Sequence, residues 1–147
     1  KNSNIYNPEV SIEKKIPSFS AKLFDTNNEI SSDEIFKSEK FYLMNIWASW
    51  CLPCRKEHNF LMYLSKKKNL EIIGLNYKDN ALNAQNFLNE LGNPYNISFT
   101  DKDGTIAIEW GAYGVPETFL IYDKKIIKKI IGPLNKDLIT EIKEIIE

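Results

Sequence analysis

Cys51 and Cys54 are the only two cysteines in the chain, and they stand two residues apart in the stretch Trp50-Cys51-Leu52-Pro53-Cys54. Two thiols at that spacing can close a small disulfide ring and open it again. Exchange chemistry needs one thiol of depressed pKa to attack and a second beside it to resolve. The flanking sequence supplies the means. Phe41, Tyr42, Leu43, Met44, Ile46 and Trp47 form a short, nearly continuous apolar run, the pattern of a strand covered on both faces. The residues after Cys54 read as a helix. Pro53 suits its first turn, where a missing N–H costs nothing. The pair therefore sits at a helix N-terminus, where unpaired N–H groups and the dipole favour a thiolate. Cys51, nearer the helix start and expected to be the more exposed, is assigned the attack, and Cys54 the resolution.

Two plainer uses of the pair carry less weight. A structural disulfide closing so short a loop would stabilise the fold little. A metal site could draw on Cys51, Cys54 and His58, which can share one helical stripe. Zinc wants four ligands, however, and the chain has no other Cys or His. His58 is expected at the helix surface or as a cap.

Length and composition limit the setting. The chain has 147 residues, 43% of them hydrophobic and 12% aromatic, which suits one globular domain with a real core. The formal net charge is −1 with both signs mixed along the chain, so no nucleic-acid footprint is expected. Neither is a disulfide-rich scaffold. No apolar run approaches the ~20 residues of a membrane-spanning helix.

The remaining elements must position the pair. Residues 1–16 are polar and read as a tether, with the folded domain over 17–147. Phe19 to Leu23 and Glu29 to Ser31 read as a hairpin around the Asp25-Thr26-Asn27-Asn28 turn, with Ser32 or Asp33 capping a short helical turn. After the cysteine helix, Lys66-Lys67-Lys68 reads as its solvated end. Glu71 to Tyr77 is the next strand. Asn80 is an N-cap for a helix with Ala84, Phe87, Leu88 and Leu91 on one face, ended by Gly92 and Pro94. Ile97 to Thr100 is a short strand, and Ile106 to Trp110 one helical turn. A strand follows Pro116, and Ile126 to Ile131 returns beside it. Lys128 and Lys129 argue that this last strand is an edge. Asn135 caps a final helix with Leu138, Ile139, Ile142, Ile145 and Ile146 on one face. The order predicts an α/β fold: a central mixed sheet with helices on both faces.

Trp47-Ala48-Ser49-Trp50-Cys51-Leu52-Pro53-Cys54-Arg55-Lys56-Glu57-His58 resembles the active-site segment of the thioredoxin superfamily. The closest resemblance is to the membrane-tethered cytochrome c maturation proteins of the CcmG/DsbE type. Asn76-Tyr77-Lys78-Asp79, Leu91-Gly92-Asn93-Pro94-Tyr95 and Tyr113-Gly114-Val115-Pro116-Glu117-Thr118-Phe119-Leu120-Ile121 resemble three further signatures of that branch. The resemblance covers most of residues 17–147. It implies a thioredoxin-like fold with an N-terminal hairpin and an inserted strand–helix segment. It implies a reductant of apocytochrome c cysteines or of maturation partners, re-reduced by a membrane thiol-disulfide reductase. It also implies the periplasm as the place, with an N-terminal anchor in the inner membrane, and no bound cofactor beyond the Cys51–Cys54 disulfide.

The resemblance also assigns residues. Pro116 matches a cis proline against the cysteine pair, leaving the Val115 backbone free to pair with an extended client. Glu117 matches an acidic residue bordering the groove, where it could tune the thiols; the alternative is a plain polar residue at a strand start. Trp50 is expected as a lid, and Trp47 and Trp110 as packing. Asn45 replaces the buried Asp of general thioredoxins, so proton handling must differ or fall to Glu117 or water. Glu57 and Asp79 are expected to be solvated. The expected function is a monomeric periplasmic thiol-disulfide oxidoreductase. Two alternatives stay open: a general periplasmic reductant with other clients, and a thioredoxin-fold chaperone that holds apocytochrome or a metal. Peroxiredoxin chemistry is disfavoured, because its attacking cysteine has no partner three residues on.

Overall fold

The computed structural model describes residues 13–147. Eight strands form one mixed sheet: β1 (Lys14–Lys15), β2 (Ser20–Leu23), β3 (Glu29–Ser31), β4 (Phe41–Trp47), β5 (Leu70–Tyr77), β6 (Ile97–Asp101), β7 (Glu117–Tyr122) and β8 (Lys125–Ile131). The four α-helices are α1 (Leu52–Leu64), α2 (Ala81–Leu91), α3 (Thr105–Glu109) and α4 (Lys136–Ile146). The spatial order is β1-β8-β7-β4-β5-β6-β2-β3. β4 lies centrally, parallel to β5 and antiparallel to β7. The β4–α1–β5 crossover thus carries the cysteine pair in the middle of the sheet.

The apolar run in β4 divides by parity. Leu43 and Trp47 join the core cluster that includes Leu61, Leu64, Phe87, Leu88 and Ile142. Tyr42, Met44 and Ile46 join the opposite cluster with Phe19, Phe36, Phe99, Trp110 and Phe119. A strand needs apolar residues at both parities when both its faces are covered. Asn45 shares its parity with Leu43 and Trp47, so it faces the α1 side.

Local chemistry sets the helix boundaries. Asn80 accepts from the Asn83 N–H at 2.9 Å and caps α2, and Asn135 accepts from the Leu138 N–H at 2.9 Å and caps α4. Gly92, with φ +98°, ends α2. In the hairpin, Ser31 is the cap of the 3-10 turn Ser32–Glu34, not Ser32 or Asp33. Its hydroxyl and Glu34 form a reciprocal capping box.

Two expectations shift. Lys14 and Lys15 pair with Ile126 and Lys125 of β8, and Ile16 is buried, so the folded part starts before Pro17. The rest of the expected tether, residues 1–12, lies outside the described residues. β8 lies between β1 and β7 and is not a simple edge. β1 covers only its first two residues. Lys128 is 2% exposed and meets Glu141 of α4 at 2.8 Å. It shares its face of β8 with Ile130 and lies opposite Leu120 of β7, both in the core cluster that also holds Ile142, which turns it inward. Its paired ammonium meets the requirement for a charge in the interior.

Candidate active site

Cys51 is the N-cap of α1, with extended backbone, and Cys54 lies one turn on. The two are joined by a disulfide. Cys51 Sγ accepts the Cys54 N–H at 3.2 Å, one of the helix's free donors. The same donor is ready for a Cys51 thiolate once the disulfide opens. Pro53 occupies the first turn without breaking α1. Cys51 is only slightly more exposed than Cys54, 4% against 1%. The expected ordering of exposure holds, and both residues are almost fully buried. Trp50 and Leu52 on either side are strongly exposed.

The turn before the helix is pinned by Asp79. This carboxylate accepts from the Ser49 N–H (2.6 Å), the Ser49 hydroxyl (2.7 Å), Asn76 Nδ2 (3.0 Å) and the Asn80 N–H (2.8 Å). It is half-buried and fully engaged, which corrects the expectation of a solvated side chain. Trp50 is 59% exposed, and its Nε1 donates to the Lys78 carbonyl at 3.0 Å. The indole is therefore exposed and anchored to the turn after β5.

Beneath the disulfide lies a buried polar network. Asn45 Nδ2 donates to Glu57 Oε2 (2.9 Å) and to Thr118 Oγ1 (3.1 Å), and the Tyr95 hydroxyl donates to Asn45 Oδ1 (2.8 Å). Glu57 Oε1 accepts the Leu134 N–H at 3.0 Å. The register explains the meeting: Asn45 pairs with Gly74 on one side and Thr118 on the other. Gly74 is essential there, because a Cβ would lie 2.8 Å from the Tyr95 ring. Glu57 is buried, not solvated as expected. Burial pushes its carboxyl up to about 7, against the lowering effect of its Leu134 and Asn45 hydrogen bonds.

His58 is also buried and not at the surface. Its Nε2 lies 2.8 Å from the Gly92 carbonyl, and the ring packs edge-on against Phe87. Burial lowers its pKa, so it is neutral at pH 7. It joins α1 to the end of α2 and is not placed as a ligand with the cysteines. Among the described residues no group of three His, Cys, Asp or Glu side chains is arranged to hold a metal ion.

The second wall is the Gly111–Pro116 loop. The Val115–Pro116 bond is cis. Since Ile46 pairs with Glu117, this bond lies beside the end of β4, where the chain departs for Cys51. Val115 is half-buried against both core clusters. Glu117 is buried. Its Oε2 accepts the N–H groups of Tyr113 (2.5 Å) and Gly114 (3.1 Å). Through that oxygen this residue, the first of β7, holds the backbone of the loop before it.

Sequence reasoning named Cys51, Cys54, Trp50, Pro53, Val115, Pro116 and Glu117 as candidates and passed over Glu57, which the fold buries one turn after Cys54. A signal was present. Cys54, Glu57, His58, Leu61 and Leu64 recur at three- and four-residue spacing, which is one helix face. Trp47 and Trp110 are packed as expected, Trp47 stacking on Tyr95.

Comparison with known proteins agrees with this geometry. The profile of the Redoxin family matches residues 12–145. The chain is 42% identical over 126 residues to the thiol:disulfide interchange protein DsbE of Tatumella citrea, covering 85% of this chain and 68% of that protein. It is 50% identical over 95 residues to the thiol:disulfide interchange protein CycY of Rhizobium leguminosarum bv. viciae, covering 64% of this chain and 51% of that protein. Among solved structures, a DsbF homologue from Corynebacterium diphtheriae superposes with a TM-score of 0.73 at 20% identity, covering 95% of this chain and 97% of the other. At that identity the likeness speaks for the fold, which is thioredoxin-like.

Proposed function

The chain belongs to the Redoxin family and is a thiol-disulfide oxidoreductase, and from that premise we propose that it is a dedicated reductant of a protein client in the periplasm. The observation that carries this reading is the Cys51–Cys54 disulfide at the start of α1, with a Cys54 N–H already bonded to Cys51 Sγ. The client is apocytochrome c or a maturation partner. The likeness to DsbE and CycY supports that client class. The electron donor is a membrane thiol-disulfide reductase, and an N-terminal segment ahead of the domain tethers it to the inner membrane. The electrons reside in the cysteine pair, with no bound cofactor.

The cycle starts from the reduced pair. The Cys51 thiolate attacks a client disulfide; one S–S bond forms as the client bond breaks, and one client sulfur leaves as a thiolate and takes a proton. Cys54 then loses its proton and attacks Cys51 Sγ. The intramolecular disulfide forms and the second client thiolate is released. Two electrons have passed to the client. Glu57 lies one turn beyond Cys54 on the same buried helix face, and we assign it that proton. A carboxyl with a pKa of about 7 can accept it and release it at neutral pH. Trp50, Val115, Pro116 and Glu117 are assigned to the groove in which the client lies beside the disulfide.

The reduction potential of the Cys51–Cys54 couple tests the direction. A value near or below about −270 mV, that of thioredoxin, supports a reductant. A value near about −120 mV, that of a strong oxidant, overturns it.

A further inference from the structure

One ammonium group holds the loop that carries the cis proline at three points. Lys129 projects from β8, where it pairs with Phe119 of β7. Its Nζ donates to the Gly111 carbonyl at 2.7 Å, at the start of the loop. It stands 4.9 Å from the centre of the Tyr113 ring, in the middle. It faces Glu117 Oε1 at 3.9 Å, at the end. That oxygen is buried and has no hydrogen-bond partner among the described residues. Lys129 is therefore the nearest source of compensation for its charge. The other carboxylate oxygen already holds the Tyr113 and Gly114 N–H groups.

Tyr113 is 84% exposed, the most exposed large hydrophobic side chain among the described residues. A ring left so open, with its backbone fixed by Glu117 and its face under a cation, is held in place for something outside the molecule to meet. From this we propose that Lys129 is a positioning residue for client recognition. It sets the shape of the Gly111–Pro116 loop and the stance of Tyr113, and so governs how an extended peptide lies beside the disulfide. It does not act on the thiols, which lie beyond β7 and β4 in the sheet order. The proposal rests on the oxidoreductase reading above and adds the residue that selects a peptide over a small disulfide.

The test compares two probes. One is a peptide with an oxidised Cys-x-x-Cys-His disulfide, and the other is bis(2-hydroxyethyl) disulfide, a linear disulfide too small to span the loop. Both are followed with the reduced protein by stopped-flow tryptophan fluorescence. Lys129→Met is expected to lower the peptide-to-small-disulfide rate ratio by about tenfold, appearing as a higher half-saturating peptide concentration, the scale of a lost charged hydrogen bond and cation–π contact. Lys129→Arg restores the ratio to within about twofold because it keeps the charge and donors. Lys129→Gln gives the intermediate case and serves if the Met variant fails to fold. An unchanged ratio overturns the proposal. So does an equal loss with both probes, or a shifted reduction potential of the cysteine couple. A wild-type protein that exchanges with neither probe overturns the oxidoreductase reading itself.

Discussion

Glu57 and Glu117 are two buried carboxylates, one on the helix that begins at the cysteines and one on the strand that follows the cis proline, and they are held in opposite ways. Glu57 lies on the buried face of α1 with neutral donors, the Asn45 amide and the Leu134 N–H, and among the described residues it forms no salt bridge. Its charge is costly there, so its proton is exchangeable near pH 7. Glu117 lies at the start of β7 with two loop N–H groups on one oxygen and an ammonium facing the other. It organises backbone. Equal burial thus yields different roles, and what separates them is the charge of the neighbours. The first is suited to moving a proton and the second to holding a loop.

The largest effect should come from the disulfide that both serve. Cys54→Ser is expected to stop turnover and accumulate a covalent client adduct on Cys51, seen by non-reducing electrophoresis. An adduct that required Cys54 would reverse the assignment of attacker and resolver. Next is Glu57→Gln, expected to slow resolution by about a hundredfold, the lower end for a positioned general base. The wild-type resolution rate should rise with pH through about 7, and the Gln variant should be flat there. Glu117→Gln should leave that profile in place and raise the half-saturating client concentration by about fivefold, the scale of a weakened charged hydrogen bond. A moved profile in Glu117→Gln would erase the distinction.

Stability gives a smaller and independent measure. Glu57 has a higher pKa folded than its ordinary 4.5, so between about 4.5 and 7 the folded state binds more protons than the unfolded. Stability must therefore fall as pH rises through that window, by about 3 kcal/mol at full extent. Urea unfolding of the oxidised protein from pH 5 to 8 should show the loss, and Glu57→Gln should lack it. The smallest expected change is Tyr95→Phe, which removes the donor to buried Asn45 Oδ1 at a cost of about 1–2 kcal/mol without touching the thiols.

Much of the scaffold was legible because local rules govern it. Asn80 and Asn135 cap, Gly92 stops, Pro53 opens, and the two-parity apolar run of β4 implies cover on both faces. The cysteine pair was legible because its chemistry depends on spacing and a helix start. Glu57 and His58 were misread because charged and polar residues are usually exposed. Here the helical face they share with Cys54 and Leu61 outweighs that preference, and the compensating partners, the Asn45 and Leu134 donors and the Gly92 carbonyl, are distant in sequence. Lys128 was misread for the same reason. Its inward parity is local, but its partner Glu141 is on α4. Lys129 was legible only as an edge-strand lysine, since its contacts depend on a loop that ends at Pro116, just before the neighbouring strand β7.

The sheet order also has a consequence in time. β4, α1 and β5 are contiguous in the chain and form a crossover unit that already contains both cysteines. The strand that closes the other side of β4, β7, arrives some forty residues after β5 ends. The first strand waits longer still, because Lys15 must find Lys125. Contacts so distant in sequence close slowly. A chain emerging amino end first therefore exposes two reactive thiols on a half-built sheet, before the wall that selects their client exists. Its cysteines are safest if they pair with each other early, and the short ring between them makes that partner the nearest one.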